Sequence, residues 1–200
     1  TLAAISGRGL LMDTSPGTNS SHTGESAEKL IETLVAAVKP RFRLISGNRL
    51  AGKTTWCENL YHLARERGLD VAGLISPAVF TDGRKSAIDL VDLRTTTRKR
   101  LAVARDPQER TENGRRWLFS HDTLHWGNRV LAAIDSCDLL IIDEIGPMEW
   151  THGQGLYNAF TLIERRAFTQ ACIVVRPSLM ERAIERWPEA LPITIGASES

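Results

Sequence analysis

The sequence predicts an α/β layer fold with a mainly parallel central sheet and a β-hairpin excursion. From residue 41 onward, short β runs alternate with helical patterns, the order expected of βα units joined by right-handed crossovers. Asp138–Asp143 (DLLIID) is an unbroken apolar run between two acids, which is typical of a strand covered on both faces. A glycine-containing loop joins a β run to an amphipathic helix at residues 47–52. We therefore expect a three-layer sandwich with helices on both faces of the sheet.

The composition fits one soluble globular domain, alone or with a tail. The chain has 200 residues, of which 42% are hydrophobic and 24% charged, an ordinary balance for a chain that buries a core. Lys and Arg number 25 against 24 Asp and Glu, so no overall charge attracts nucleic acid or an anionic membrane. No apolar run approaches the roughly 20 residues of a membrane-spanning helix. Any anion binding must therefore be local, and a nucleic acid or membrane partner is not expected.

Cysteine usage indicates a reducing compartment. Cys57, Cys137 and Cys172 are odd in number, far apart in sequence and without C-x-x-C spacing, so we interpret them as core thiols of a cytoplasmic protein. The first residue is Thr1 and no signal pattern follows, which is consistent with processing or with excision from a longer protein.

The chain divides into three predicted regions. Residues 13–26 contain no large apolar side chain, so we interpret 1–24 as a flexible arm or linker and a candidate connection to a fused or partner domain. Residues 25–40 form an amphipathic helix that ends before Pro40. Residues 41–200 form the main domain.

The main domain is expected to begin with a strand, Arg41–Ser46, followed by the loop and a helix that carries Trp56, Leu60 and Leu63 and ends near Gly68. The later predicted elements are, in order, a strand at 70–76, a hairpin of 78–80 with 87–93, short strands at 99–104 and 115–120, a helix at 121–134, the strand at 138–143, a helix through Leu156, Phe160, Ile163 and Ala167, a strand at 172–175, and a helix at 178–187 opened by a capping box of Ser178 with Glu181.

The loop Gly47–Thr54 (GNRLAGKT) matches the phosphate-binding pattern G-x-x-x-x-G-K-[ST], known as Walker A. In such a loop the backbone N–H groups and the N-terminus of the following helix face phosphate oxygens. Lys53 would place its charge on the terminal phosphates, and the Thr54 hydroxyl would ligate Mg²⁺. The predicted nucleotide-binding residues are Gly47, Asn48, Arg49, Leu50, Ala51, Gly52, Lys53, Thr54 and Thr55.

Two adjacent acids follow the buried apolar run. The carboxyl end of a central parallel strand lies at the ligand crevice of an open α/β sheet, so Asp143 is expected to hold Mg²⁺ as a Walker B acid. Glu144 is placed to act as the general base that activates a water molecule. The alternative, that Glu144 is a solvated acid at a strand end, stays open.

The stretch Ile141–Glu149 (IIDEIGPME) resembles the hallmark of small P-loop nucleoside-triphosphatases of the thermophilic-phosphatase (THEP) type. Further likeness lies in Gly73–Pro77, in Ile88–Leu93 and in Leu101-Ala102, and it covers roughly residues 41–187. The resemblance implies a RecA-like P-loop domain that hydrolyses NTP to NDP and phosphate with Mg²⁺ and loose base preference. Two positions depart from the family pattern. Leu50 stands where the family usually has a glycine, and Val79 stands near a position where a glutamate is common.

Other residues give weaker signals. Arg176 follows the strand at 172–175 and is expected at the same sheet edge, where it could stabilise transition-state charge. Glu149 either closes the site or forms a surface salt bridge. Residues 94–116 contain eight Lys or Arg against three Asp or Glu, and a solvated hairpin face is favoured over nucleic-acid binding. His121 and His125 lack the other ligands of a zinc site.

Three functions are compatible with these motifs. NTP hydrolysis is favoured, because tandem acids suit an activated water better than an acceptor hydroxyl. The alternatives are a nucleotide or small-molecule kinase and a nucleotide-dependent switch with slow hydrolysis. The sequence contains neither the guanine-reading N/T-K-x-D motif nor an L-S-G-G-Q run.

Overall fold

The computed structural model describes residues 41–106 and 116–196, together with His22–Thr23 and Glu32. The strands are β1 (His22–Thr23), β2 (Arg41–Ser46), β3 (Val71–Ile75), β4 (Ala78–Thr81), β5 (Arg84–Asp92), β6 (Arg98–Ala104), β7 (Trp117–Phe119), β8 (Cys137–Ile145), β9 (Phe168–Val175) and β10 (Leu191–Thr194). The helices are α1 (Lys53–Glu66), α2 (His121–Ala132), α3 (Pro147–His152), α4 (Asn158–Arg165) and α5 (Met180–Arg186), with a 3₁₀ turn at Pro177–Leu179.

The strands form a single sheet in the order β1-β10-β2-β9-β8-β3-β5-β6-β7, with β4 paired to β5. Across the sheet, every neighbouring pair from β1 through β10, β2, β9 and β8 to β3 is parallel. The pairs β3–β5, β4–β5, β5–β6 and β6–β7 are antiparallel. The predicted parallel sheet with a hairpin excursion is therefore confirmed. The antiparallel part, β4–β7, is called the wing below.

Both faces of the parallel sheet are covered. Successive side chains of a strand point to opposite faces, so Ile141 of β8 packs with Leu60 of α1 on one face. Ile142 points the other way and packs in the core that contains Leu131 of α2 and Ile163 of α4. All five side chains are fully buried. This two-sided burial explains why β8 has no polar residue between Asp138 and Asp143.

Several predicted elements differ in detail from the structure. The helix at the end of the chain begins at Met180, and its N-terminus has no side-chain cap, so the capping box of Ser178 with Glu181 is wrong. Pro177–Leu179 forms a 3₁₀ turn instead, because Pro177 is compatible with the first turn of a helix. α3 and β10 were not predicted from the sequence.

The predicted arm and helix of residues 1–40 lie almost entirely outside the described residues. Only His22–Thr23 and Glu32 are described there, and His22–Thr23 pair in parallel with Ile193–Thr194 of β10.

The parallel arrangement brings the carboxyl ends of β2, β3, β8 and β9 to one edge of the sheet. One strand, β9, separates β2, which leads into the phosphate loop, from β8, which carries the acids. Ligands of open α/β sheets bind at this edge, and the candidate site is located there.

Candidate nucleotide site

The loop between β2 and α1 has the conformation that a phosphate-binding loop needs. Gly52 is left-handed, with φ 84°, and immediately precedes α1. Gly47 lies against the chain that follows β10, since a Cβ atom there would be 2.4 Å from the Ile195 carbonyl oxygen. The Lys53 ammonium donates hydrogen bonds to the carbonyl oxygens of Gly47 at 2.9 Å and Asn48 at 3.0 Å. Lys53 thus lies folded over its own loop.

Leu50 is the unusual residue of this loop. It adopts a left-handed conformation with φ 67°, which costs a side chain with a Cβ atom about 1–2 kcal/mol. Its side chain is 85% exposed at the loop surface. The backbone at Leu50 thus keeps a conformation that glycine adopts readily, and the leucine is strained there.

Asp143 and Thr54 meet beneath the loop. Asp143 is buried near the end of β8, and its Oδ2 accepts a hydrogen bond from the Ser76 N–H at 3.3 Å. The Thr54 hydroxyl donates to the same carboxylate. Burial raises the pKa of Asp143 to about 6, although the Thr54 and Ser76 hydrogen bonds and the Lys53 charge lower it. The structure therefore brings together Thr54 and Asp143, the two residues predicted to ligate Mg²⁺.

This pair of oxygen donors suits Mg²⁺. The ion prefers carboxylate and hydroxyl oxygens, keeps several water ligands and shares its remaining ligands with substrate phosphates. A divalent cation beside Asp143 would also offset the cost of burying a negative charge. The two residues fit the ion without a larger protein cage.

Glu144 lies beside Arg176. The Arg176 Nε atom donates a hydrogen bond to Glu144 Oε1 at 2.5 Å, and the side chains of Arg176 and Glu144 are 55% and 27% exposed, respectively. The peptide bond between Asp143 and Glu144 is cis. Arg176 therefore emerges at the predicted edge, and in this structure it contacts the candidate base.

Glu149 accepts two backbone hydrogen bonds in the segment that follows β8. Its Oε2 accepts from the Gly146 N–H and its Oε1 from the Leu156 N–H, each at 2.9 Å. Burial raises the pKa of Glu149, whereas these backbone hydrogen bonds lower it. The carboxylate thus joins the start of α3 to the loop before α4, a structural role that the sequence pattern could not distinguish.

The basic residues of the hairpin are directed to different partners. Arg94 pairs with Asp70 at 2.6 Å, whereas Arg98 and Arg100 both pair with Asp89. Each of these three arginines therefore already has a carboxylate partner.

His121 and His125 lie away from the phosphate loop, beside a cavity of about 260 Å³ between α2 and the segment that follows α3. Within residues 41–106 and 116–196, no group of three or more His, Cys, Asp or Glu side chains is placed to hold a metal ion.

Sequence reasoning missed three contributions to the site. Ser76 binds Asp143 through its backbone, Ile195 supports Gly47, and Lys85 approaches the acids from the wing. Ser76 could have been anticipated, because it follows a predicted strand that neighbours the acidic one. The other two depend on tertiary placement and have no local signal.

The phosphate loop on a parallel α/β sheet, with an acid at the end of a nearby strand, defines a P-loop nucleoside-triphosphatase fold. The model of a protein family described as NTPase matches residues 43–160, more than half of the chain. The chain belongs to this NTPase family.

Relatives and solved structures agree with this membership. The nucleoside-triphosphatase THEP1 of Methanopyrus kandleri is 30% identical over 128 residues, which are 64% of this chain and 67% of that protein. The protein of the same name from Saccharolobus solfataricus is 34% identical over 105 residues, 52% of this chain and 59% of that protein. The solution structure of a human cancer-related nucleoside triphosphatase matches with a TM-score of 0.60 at 20% identity, covering 79% of this chain and 90% of that one.

The last comparison shows the fold, and the family match shows the enzyme class: a nucleoside-triphosphate hydrolase.

None of the helices in the described part of the chain is long and apolar enough to cross a membrane.

Proposed function

We propose that this chain hydrolyses nucleoside triphosphates to the diphosphate and phosphate with Mg²⁺ held by Thr54 and Asp143 and with Glu144 as the general base. The observation that carries the proposal is the division between the two adjacent acids. Asp143 is buried and engaged by Thr54 and Ser76, whereas Glu144 is partly exposed and faces an arginine. The environments differ as the two roles require.

The loop residues Gly47–Thr55 would bind the phosphates. Backbone N–H groups of the loop and the N-terminus of α1 supply hydrogen-bond donors and a partial positive charge. Lys53 would exchange the carbonyl oxygens of Gly47 and Asn48 for oxygens of the β- and γ-phosphates. This exchange costs little, because both sets of partners are oxygen acceptors.

Mg²⁺, when bound, supplies positive charge that neutralises the β- and γ-phosphate oxygens. Its protein ligands would be the Thr54 hydroxyl and Asp143, the latter directly or through water. Ser76 would hold the Asp143 carboxylate in place through the backbone hydrogen bond at 3.3 Å.

Glu144 would accept a proton from the attacking water. The water oxygen forms the new bond to the γ-phosphorus, the bond to the bridging oxygen breaks, and the diphosphate leaves with the electron pair. Arg176 holds the Glu144 carboxylate before the nucleotide binds. Because its guanidinium is partly exposed, Arg176 can also turn toward the transferred phosphate and stabilise its charge.

The test is a panel of NTPs incubated with the wild type and with Glu144→Gln, measured for released phosphate and for NDP. We expect phosphate release to fall by about 10²–10⁴-fold, as for the loss of a general base, with NTP affinity nearly unchanged. Glu164→Gln is the matched control, since Glu164 also pairs with an arginine, Arg186, but on the surface. Undiminished release in Glu144→Gln would overturn the proposal, and transfer of the γ-phosphate to an added metabolite would indicate a kinase.

We also propose a cytoplasmic location. Cys57, Cys137 and Cys172 are all free and buried, which is the usual state of thiols in a reducing compartment.

A further inference from the structure

The wing extends past the end of the parallel sheet on the side of the candidate site. β5 pairs with β3 only through Val91 and Asp92, opposite Ile75 and Leu74. Since the two strands are antiparallel, the earlier residues of β5 lie beyond the carboxyl end of β3. Register shifts at Val79/Phe80 and at Ile88/Asp89 mark bulges, which bend strands and increase their twist.

Two cations share one aromatic ring on this wing. The Lys85 ammonium lies 5.5 Å from the centre of a Trp117 ring, and the Arg116 guanidinium carbon lies 5.2 Å from it. Arg116 Nη2 also donates a long hydrogen bond, 3.4 Å, to the Lys85 carbonyl oxygen. Among the described residues, no carboxylate lies within 4.0 Å of either cation, in contrast to Arg98 and Arg100 on β6.

The Lys85 ammonium faces the candidate site. Burial lowers the pKa of Lys85, and the guanidinium groups of Arg49 and Arg116 also lower it, whereas Asp143 and Glu144 raise it. Lys85 therefore lies close enough to the loop residue Arg49 and to the two acids to interact with all three. An anion bound between them would relieve the repulsion between Lys85 and the two arginines.

We propose that Lys85, held against Trp117 beside Arg116, contacts the terminal phosphate of the bound nucleoside triphosphate from the wing. This inference rests on the proposed function, because it places the γ-phosphate at the end of the loop beside Glu144. The wing thus supplies positive charge that the phosphate loop does not, and it distinguishes a triphosphate from a diphosphate. Trp117 keeps the two cations together before the ligand arrives.

The chain offers a matched control. Lys99 lies on the same wing, and its ammonium is 5.1 Å from the centre of a Trp126 ring, the same kind of contact. Trp126 belongs to α2, whereas the partner ring of Lys85 belongs to β7. Lys85→Met and Lys99→Met each remove one charge while keeping an unbranched side chain against the ring.

The experiment measures binding of a β,γ-methylene triphosphate analogue and of the diphosphate by calorimetry, with Mg²⁺, to the wild type, Lys85→Met, Lys85→Arg, Arg116→Met and Lys99→Met. We expect Lys85→Met to weaken triphosphate binding by roughly 10- to 100-fold, as for the loss of a charged hydrogen bond, and to change diphosphate binding less than twofold. Lys85→Arg should retain most of the affinity, and Lys99→Met should match the wild type. Thermal unfolding confirms that each variant is folded.

An equal loss of triphosphate and diphosphate affinity in Lys85→Met would overturn the inference, because the cation would then contact another part of the nucleotide. Unchanged affinity for both would also overturn it and leave the cations as packing for Trp117.

The outcome is separable from the function test. If Glu144→Gln abolishes hydrolysis while Lys85→Met binds like the wild type, only this inference fails. If hydrolysis survives in Glu144→Gln but Lys85→Met loses triphosphate affinity selectively, only the assignment of the base fails.

Discussion

Arg176 and Glu144 form a direct ion pair across two neighbouring strands, with Arg176 Nε 2.5 Å from Glu144 Oε1. Ile145 of β8 lies opposite Val175 of β9, Glu144 precedes Ile145 and Arg176 follows Val175, so the two side chains meet diagonally between neighbouring strands. Both side chains are partly exposed, so the pair adds little to the free energy of folding. Its consequence is the direction in which the Glu144 carboxylate points.

Arg176→Ala should therefore slow hydrolysis without unfolding the protein. We expect kcat to fall by about 10–1,000-fold, because both the placement of Glu144 and the charge near the γ-phosphate are lost, while KM changes little. Arg176→Lys should recover part of kcat, since it keeps the charge but not the planar geometry. Steady-state kinetics measure this effect, and Arg165→Ala, which removes a surface pair with Asp135, is the control. A change in KM alone would contradict the assigned role.

Thr54→Ala should raise the Mg²⁺ requirement. The variant removes a hydroxyl that donates to Asp143 and that is proposed to ligate the ion, so the concentration of Mg²⁺ for half-maximal hydrolysis should rise by about tenfold or more. A titration of activity with MgCl₂ at saturating NTP measures it. Thr161→Ala, an exposed threonine of α4, should leave the titration unchanged. An unaltered midpoint in Thr54→Ala would exclude the hydroxyl as a ligand.

The sequence-based predictions succeeded where the signal is local. The spacing of GNRLAGKT and the apolar run before Asp143 report on neighbours along the chain, so the loop, α1 and β8 were predicted. β10 was missed because Leu191–Thr194 contains a proline and only four residues, and its partner β2 lies far away in sequence. α3 was missed because six residues are too few for a periodic pattern.

The charged groups of the site show the same limit. Lys53, Thr54 and Asp143 come together because each lies at the end of a predicted element. The contact between Arg176 and Glu144 depends on the register of β8 and β9, and the approach of Lys85 depends on the path of the wing. Neither can be predicted from neighbours along the chain. The two backbone N–H groups that donate to the Glu149 carboxylate were not predicted, because no sequence pattern identifies them.

Leu50→Gly should stabilise the fold slightly. The substitution removes the strain of a left-handed leucine at φ 67°, about 1–2 kcal/mol, against a glycine entropy cost of about 1 kcal/mol. Because Leu50 is 85% exposed, little packing is lost. Urea denaturation should show a gain of about 0–1 kcal/mol. Gly68→Ala is the control, because Gly68 is left-handed at φ 75° and an added Cβ would have no atom within 4 Å. Its free energy of unfolding should fall by about 1 kcal/mol. A fall of similar size in Leu50→Gly would contradict the strain assigned to Leu50.

Glu149→Gln should destabilise the protein although it keeps the shape of the side chain. Both carboxylate oxygens accept backbone hydrogen bonds at 2.9 Å, but an amide offers one acceptor and one donor. The amide NH₂ would therefore face either the Gly146 or the Leu156 N–H group. Leaving one of these half-buried donors without an acceptor costs about 1–3 kcal/mol. The loop before α4 has little room to adjust, because a Cβ atom at Gly155 would already be 1.9 Å from Glu149 Oε1.

Urea denaturation measures the effect of Glu149→Gln, with a lower midpoint and an unchanged slope as the expected result. Glu181→Gln is the control, since Glu181 is exposed in the first turn of α5 and its loss should stay within about 0.5 kcal/mol. Equal midpoints for Glu149→Gln and Glu181→Gln would show that the two backbone hydrogen bonds contribute nothing to holding α3 against the loop. A lower midpoint accompanied by a normal kcat at low temperature would show that Glu149 supports the fold and takes no part in the chemistry.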